Sequence, residues 1–108
     1  MHTTLEKYET LKKLMKKGNI KLLLILGSGK KRWSDFEEYA SSRIVGLSLK
    51  DLINLGLVKV ERHTQGLRDF KTYELTQKGW VVLKKLDEIA ELLKDETKTN
   101  FSEHNKKD

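Results

Sequence analysis

Leu52-Ile53-Asn54-Leu55-Gly56-Leu57-Val58 closes a helical pattern and opens a strand within one short stretch, and the fold is read outward from it. Upstream, Ile44, Val45, Leu49, Leu52 and Ile53 recur with helical spacing behind the cap candidates Ser41 and Ser42, and Gly56 is the stop. Downstream, Val58, Val60 and Arg62 alternate with Lys59 and Glu61, and Tyr73 and Leu75 alternate with Thr72 and Glu74. That period of two marks half-buried strands, and the polar segment centred on Gln65-Gly66 becomes the tip between them. Thr76 then caps a long helix from Gln77 to about Lys94, with Trp80, Leu83, Leu86, Ile89, Ala90 and Leu93 on one side.

On the other flank, Trp33-Ser34-Asp35-Phe36-Glu37 has Ser34 and Glu37 at capping-box spacing and Trp33 placed to staple onto the first turn, so a helix is expected from Asp35 to about Ala40. Two short helices, a strand, a tip and a strand read as a winged helix-turn-helix. The fold class is mainly α with a small β-hairpin wing (α+β), the recognition helix over about 42–55 and the wing over about 62–71. Thr4 caps a first helix through about Lys17, in which Leu5, Tyr8, Leu11 and Met15 form an apolar stripe before Gly18-Asn19 stops it. Ile20 to Leu26 is apolar apart from Lys21; its length fits helix or strand, and a short buried helix is the preferred reading. Residues 1–95 thus form one domain with extra N- and C-terminal helices, and 96–108 a polar, disordered tail.

The 108 residues, 37% of them hydrophobic, are enough for one compact core and too few for two. With no Cys there is no disulfide framework or thiolate metal site, and His2, His63 and His104 are too scattered to form a ligand set; no metal or cofactor is expected. No apolar run approaches the roughly 20 residues of a membrane span and Met1-His2-Thr3-Thr4 does not open a signal peptide, so a cytoplasmic protein without a membrane partner is expected. The net charge of +6 is uneven. Residues 1–33 carry nine Lys/Arg against two acids, 58–79 five against three, 34–57 two against four and 80–108 six against seven. The positive excess therefore flanks the helix-turn-helix and lies in the wing, where Lys and Arg could neutralise phosphates. A generally solvated surface would look similar, because charged residues are 35% of the chain.

Lys31-Arg32-Trp33-Ser34-Asp35-Phe36, Leu52-Ile53-Asn54-Leu55-Gly56-Leu57-Val58 and Tyr73-Glu74-Leu75-Thr76-Gln77-Lys78-Gly79 together resemble the winged-helix regulators of the HxlR, MarR and PadR type, over about residues 20–93. In those families "Leu-x-x-Leu-Gly-Leu-Val" leads the recognition helix into the wing and "Tyr-x-Leu-Thr-x-x-Gly" closes the wing and opens the last helix. Most of this content is structural, so the motifs speak more of fold than of ligand. The resemblance implies a transcriptional regulator that binds double-stranded DNA and dimerises through its terminal helices.

A core stripe through Val45, Leu49 and Leu52 leaves Ser42, Arg43, Gly46, Leu47 and Lys50 toward the outer face of the recognition helix, as groove-facing candidates. Arg43 is the strongest base-edge reader among them, helped by Ser42 and Lys50; its rival role is an ion pair with Glu37 or Glu38. Gly46 either admits a phosphate backbone or a neighbouring helix. Lys30, Lys31 and Arg32 precede the second helix, where cations suit a phosphate. Arg62, His63, Gln65, Arg68 and Lys71 surround Gly66 and suit phosphates or a narrow minor groove. Trp33 and Trp80 lie on apolar stripes and read as core or interface rather than as base-stacking platforms.

The wide apolar stripes of the first and last helices, on so small a chain, favour a homodimer, which would set two recognition helices on successive major-groove faces. Folding over a monomeric core is the alternative. A second function class, a winged module for protein contact without DNA binding, is motivated by acidic Asp35, Glu37 and Glu38 and by apolar Leu47. An enzyme is not expected: there is no Ser-His-Asp or Cys-His set, and Gly27-Ser28-Gly29-Lys30 lacks the spacing of a phosphate-binding loop.

Overall fold

The computed structural model of the chain describes residues 4–98, with side chains through Lys94. Its elements are α1 (Thr4–Leu14), α2 (Lys17–Leu26), β1 (Lys31–Arg32), α3 (Trp33–Phe36), α4 (Ser42–Asn54), β2 (Val58–Gln65), β3 (Arg68–Leu75) and α5 (Gln77–Lys98). The strands form one antiparallel sheet in the order β1-β3-β2. No described helix is long and apolar enough to cross a membrane.

The core is where α2, α3 and α4 close over the base of the sheet. Leu22, Leu23 and Leu26 of α2, Phe36 of α3, and Val45, Leu49 and Leu52 of α4 pack with Leu57, Val58, Tyr73 and Leu75. The stripe expected on the recognition helix is the one that is buried. Phe36 meets Tyr73 edge-on with ring centroids 6.0 Å apart. Burial of Tyr73 disfavours its phenolate and pushes its pKa above the ordinary 10.0.

The end of α4 explains the first motif. Gly56 takes φ 79°, which a side chain would resist, so Gly56 N–H reaches Ile53 O (2.9 Å) and Leu57 N–H reaches Leu52 O (2.9 Å). This closes the helix, drops Leu57 into the core beside Leu52 and aims the chain into β2. The second motif locks onto the first: Thr76 Oγ1 donates to Gly56 O (2.6 Å) and accepts from Gly79 N (3.0 Å), while Thr76 N donates to Leu57 O (3.0 Å). Lys78 Nζ adds a bond to Leu55 O (3.0 Å).

Five local expectations are corrected. The first helix stops at Leu14 rather than near Lys17, and Gly18-Asn19 lies inside α2 instead of ending α1. Asn19 is there to donate to Lys13 O (2.9 Å) at the end of α1, and Gly18 because α4 presses against it: a Cβ would lie 2.6 Å from Ser48 Oγ. Lys31-Arg32 is an edge strand paired with Tyr73 and Thr72. The helix expected over 35–40 is a single turn, Trp33–Phe36, whose start is satisfied by Arg32 N–H donating to Asp35 Oδ2 (2.8 Å) rather than by a Ser34/Glu37 box. Wing strands continue to Gln65 and from Arg68, leaving only Gly66-Leu67 at the tip. Gly66 at φ 64° supplies the positive φ at the first central position of that two-residue turn. Finally, α5 runs to Lys98, past its expected end at about Lys94; the rest of the tail expected over 96–108 lies outside the described residues.

Candidate nucleic-acid interface

Helix α4 begins where Ser41 Oγ accepts from Ile44 N (3.3 Å), and its buried side sets the opposite side toward solvent. Arg43, Leu47 and Lys50 are exposed there, Leu47 to 50%. The side chains of Arg43 and Lys50 have no hydrogen-bond or ion-pair partner among the described residues. The rival pairing of Arg43 with Glu37 does not form. Glu37 instead accepts from the Ser42 hydroxyl, and that bond, followed by one from Trp33, holds its carboxyl below the ordinary carboxylate range. Ser42 is therefore engaged with Glu37, the residue that ends α3, rather than free on the outer face.

Gly46 is half-buried and faces Trp33: a Cβ there would stand 3.5 Å from Trp33 Cη2, an ordinary contact. Neither of the two readings of this glycine is needed to explain the packing, because the space for a methyl group exists. Trp33 itself is 36% exposed and Trp80 47%, so neither is core.

The cations around the wing fall on two faces, since directly paired residues of an antiparallel ladder share a face. Arg62 lies opposite Lys71 and Thr64 opposite Asp69 on the face whose base carries Val58, Tyr73 and Leu75. His63 lies opposite Phe70 and Gln65 opposite Arg68 on the other. On that second face Arg32 sits 4.0 Å over the Phe70 ring, Phe70 stacks on His63 at 5.0 Å, and His63 Nε2 meets Thr72 Oγ1 at 2.8 Å. Arg32 and His63 thus brace the hairpin across all three strands. Lys30 lies near Glu61 (3.7 Å) and Glu74 (3.5 Å) at the wing base. Lys31 is half-buried in β1. Lys31 and Arg32 are therefore part of the sheet, with Lys30 just before it, and the wing cations without a side-chain partner among the described residues are Lys59, Arg62, Arg68 and Lys71, with Gln65 beside the tip.

A feature the sequence did not expose lies between the α1–α2 junction and α4. An open cleft of about 410 Å³ is lined by Lys13, Lys16, Asn19, Leu47, Lys50 and Asn54 among others. It brings lysines from the first helices, distant in sequence, beside the outer face of α4. Their signal was the positive excess of residues 1–33, which has no position until the chain folds. Among the described residues no His, Asp and Glu cluster could hold a metal ion.

The comparison with curated proteins found no match. Solved structures do match. A transcriptional regulator of the MarR family from Enterococcus faecalis V583 superposes with a TM-score of 0.79 at 19% identity, covering 91% of each chain. The reduced form of the transcriptional regulator YodB from B. subtilis gives 0.70 at 22%, covering 83% of this chain and 89% of that one. Bacillus subtilis PadR in complex with operator DNA gives 0.54 at 23%, covering 63% of this chain and 45% of the other. These likenesses show the winged fold. The model of the HxlR-like helix-turn-helix family matches residues 13–101, which takes in α2, the helix-turn-helix, the wing and α5, and the chain belongs to that family.

Proposed function

We propose that this protein is a sequence-specific double-stranded DNA-binding transcriptional regulator and not an enzyme. The observation that carries the reading is the outer face of α4, where Arg43 and Lys50 stand exposed with no side-chain partner among the described residues while the opposite face is core. A guanidinium left unpaired on a helix of this kind suits the O6 and N7 acceptors of guanine in the major groove. Arg62, Arg68 and Lys71 on the two faces of a braced hairpin suit phosphates or the edge of a minor groove beside it. Lys13, at the cleft flanking α4, adds a phosphate contact. Membership of a helix-turn-helix family and the likeness to PadR, whose structure was determined with operator DNA, support the same reading.

The functional unit in this reading is a homodimer in the cytoplasm. No residue of α1 is buried, and Leu5 (68%), Tyr8 and Leu11 line it exposed, with exposed Met15 just past its end, while α5 leaves Ile89, Leu92 and Leu93 uncovered. A second copy covers such stripes at little further expense of design, and two-fold pairing sets two recognition helices about 34 Å apart on a pseudo-palindrome.

Fluorescence anisotropy of a random duplex library, titrated at several salt concentrations, tests this. Binding should weaken linearly in log affinity against log salt. A flat response, or no binding at low salt, sinks the reading and favours a module for protein contact, for which exposed Leu47 on α4 and the acids Asp35, Glu37 and Glu38 are the candidate features.

A further inference from the structure

Among the described residues Asn19 is the one large polar side chain in the fully buried set, 1% exposed among leucines, and its position is not explained by packing alone. Both donors of its amide are used. One Nδ2 bond goes to Lys13 O (2.9 Å), a last-turn carbonyl of α1 whose backbone bond, from Lys16 N, is long at 3.4 Å, and the other to Asp51 Oδ2 (3.1 Å) in the middle of α4. Lys16 Nζ approaches the same carboxylate oxygen at 3.5 Å from the α1–α2 junction. One turn earlier on α4, Ser48 lies close against Gly18, where a Cβ would stand 2.6 Å from Ser48 Oγ and force that side chain to shift. The junction is thereby clamped to the recognition helix at Ser48 and Asp51, next to Leu47 and Lys50 on its outer face.

Two consequences follow from elementary physics. Helix α1 buries no residue, and within one chain its apolar contact is confined to its last turns, where half-buried Leu14 packs on the core and Leu11 shares a small apolar pocket with Leu55, Leu57 and Val82, so the cap at its C-terminus carries much of its direction. Asp51 is also the only acid on α4, and a carboxylate turned outward there would repel phosphate. Asn19 and Lys16 hold it inward, with the side chain 18% exposed, and the Asn19 bond keeps it ionised.

Resting on the two-fold DNA-binding reading above, we infer that Asn19 and Asp51 are positioning residues which fix the angle between the α1 arm and the recognition helix, and so the separation of the two recognition helices in the dimer. Neither touches the duplex. They act through the backbone carbonyl of Lys13 on one side and the body of α4 on the other. The buried amide is a directional link, where an apolar side chain of the same size would fill the space without setting an angle.

The chain has no Cys, so Asn54→Cys at the exposed end of α4 accepts one spin label per chain, and pulsed electron double resonance then reads the distance between the two α4 helices in the absence of DNA. The unmodified Asn19–Asp51 pair should give a single narrow distance. Asn19→Leu with Asp51→Ala, which leaves no buried donor or charge unpaired, should lose that narrow distance for a broad or shifted one while the dimer persists. Asp51→Asn, whose amide oxygen still accepts from Asn19, should restore the narrow distance. An unchanged distribution in the double variant overturns the inference. So does a double variant that does not fold, because the pair would then hold the core rather than an angle. Absence of any dipolar signal before the pair is altered overturns the two-fold reading itself, and this inference falls with it.

Discussion

A Cβ placed on Gly79 would stand 2.1 Å from the carbonyl oxygen of Leu57. The glycine of one motif is thus fitted to the backbone of the other, at the joint where the recognition helix, the wing and the last helix meet. Leu57 O also accepts from Thr76 N, so it cannot withdraw without breaking the cap of α5. Gly79→Ala should destabilise the fold by about 3 kcal/mol or more, in the range of overpacked sites where backbone has to move. Denaturant unfolding checks this; an unchanged midpoint would show that the joint is slack.

Gly46 predicts the opposite sign. A methyl group there meets only Trp33 at 3.5 Å, so Gly46→Ala should fit and stabilise α4 by up to about 1 kcal/mol through helix propensity. If duplex affinity nevertheless falls in that variant, the glycine serves close approach of DNA. If both stability and affinity hold, it serves neither.

Arg43 and Arg68 should separate reading from positioning. Arg43→Ala is expected to lose about 1–3 kcal/mol of discrimination between duplex sequences. Arg68→Ala should weaken all sequences about equally and lower the slope of log affinity against log salt by about 1. Anisotropy titrations on selected and random duplexes distinguish the two, and identical behaviour would refute the assignment of roles.

Asp51 gives the pH dependence its sign. Its hydrogen bond from Asn19, opposed by partial burial and aided by Lys16, lowers its pKa below the ordinary 3.8. The folded state therefore favours the carboxylate, and this stabilisation is present above about pH 4 and lost as the pH falls through the lowered folded value. Asp51→Asn should flatten that part of the acid limb in thermal melts recorded across the carboxylate range. Tyr73 works in the other direction: its raised pKa stabilises the fold below 10.0 and loses that contribution as pH rises through the folded value.

Exposed Leu11, 55% accessible on α1, marks the dimer face of the proposed assembly. Leu11→Asp should shift the protein from dimer to monomer in sedimentation velocity while circular dichroism is unchanged, since no core contact is removed. A variant that remains dimeric would place the interface elsewhere.

The winged order of elements was legible in the chain because its signals are local. A helix closed by Gly56, alternation through Val58 and Val60, and a Thr76 cap each act within a few residues, and the core stripe Val45-Leu49-Leu52 follows from the pitch of a helix. The same local reasoning missed β1, because Lys31-Arg32 carries no strand pattern and is extended only by pairing with Tyr73 and Thr72. It also took Gly18-Asn19 for a helix stop, where the residues are in fact the point at which α2 meets α4 and Asn19 reaches Lys13 and Asp51.

The candidate site shows the same division. That Arg43, Leu47 and Lys50 share the outer side of a helix is a matter of period and was fixed by sequence. Which cations stand free was decided by the tertiary structure: Arg32 stacks on Phe70, and Lys30 faces Glu61 and Glu74, through partners brought near only when sheet and helices close. Composition also determined that these 108 residues, having no Cys, cannot form a disulfide of their own. Periodicity and caps act over one turn and survive in the sequence. Side-chain partnerships span tens of residues and exist only once burial of the core has brought those residues together.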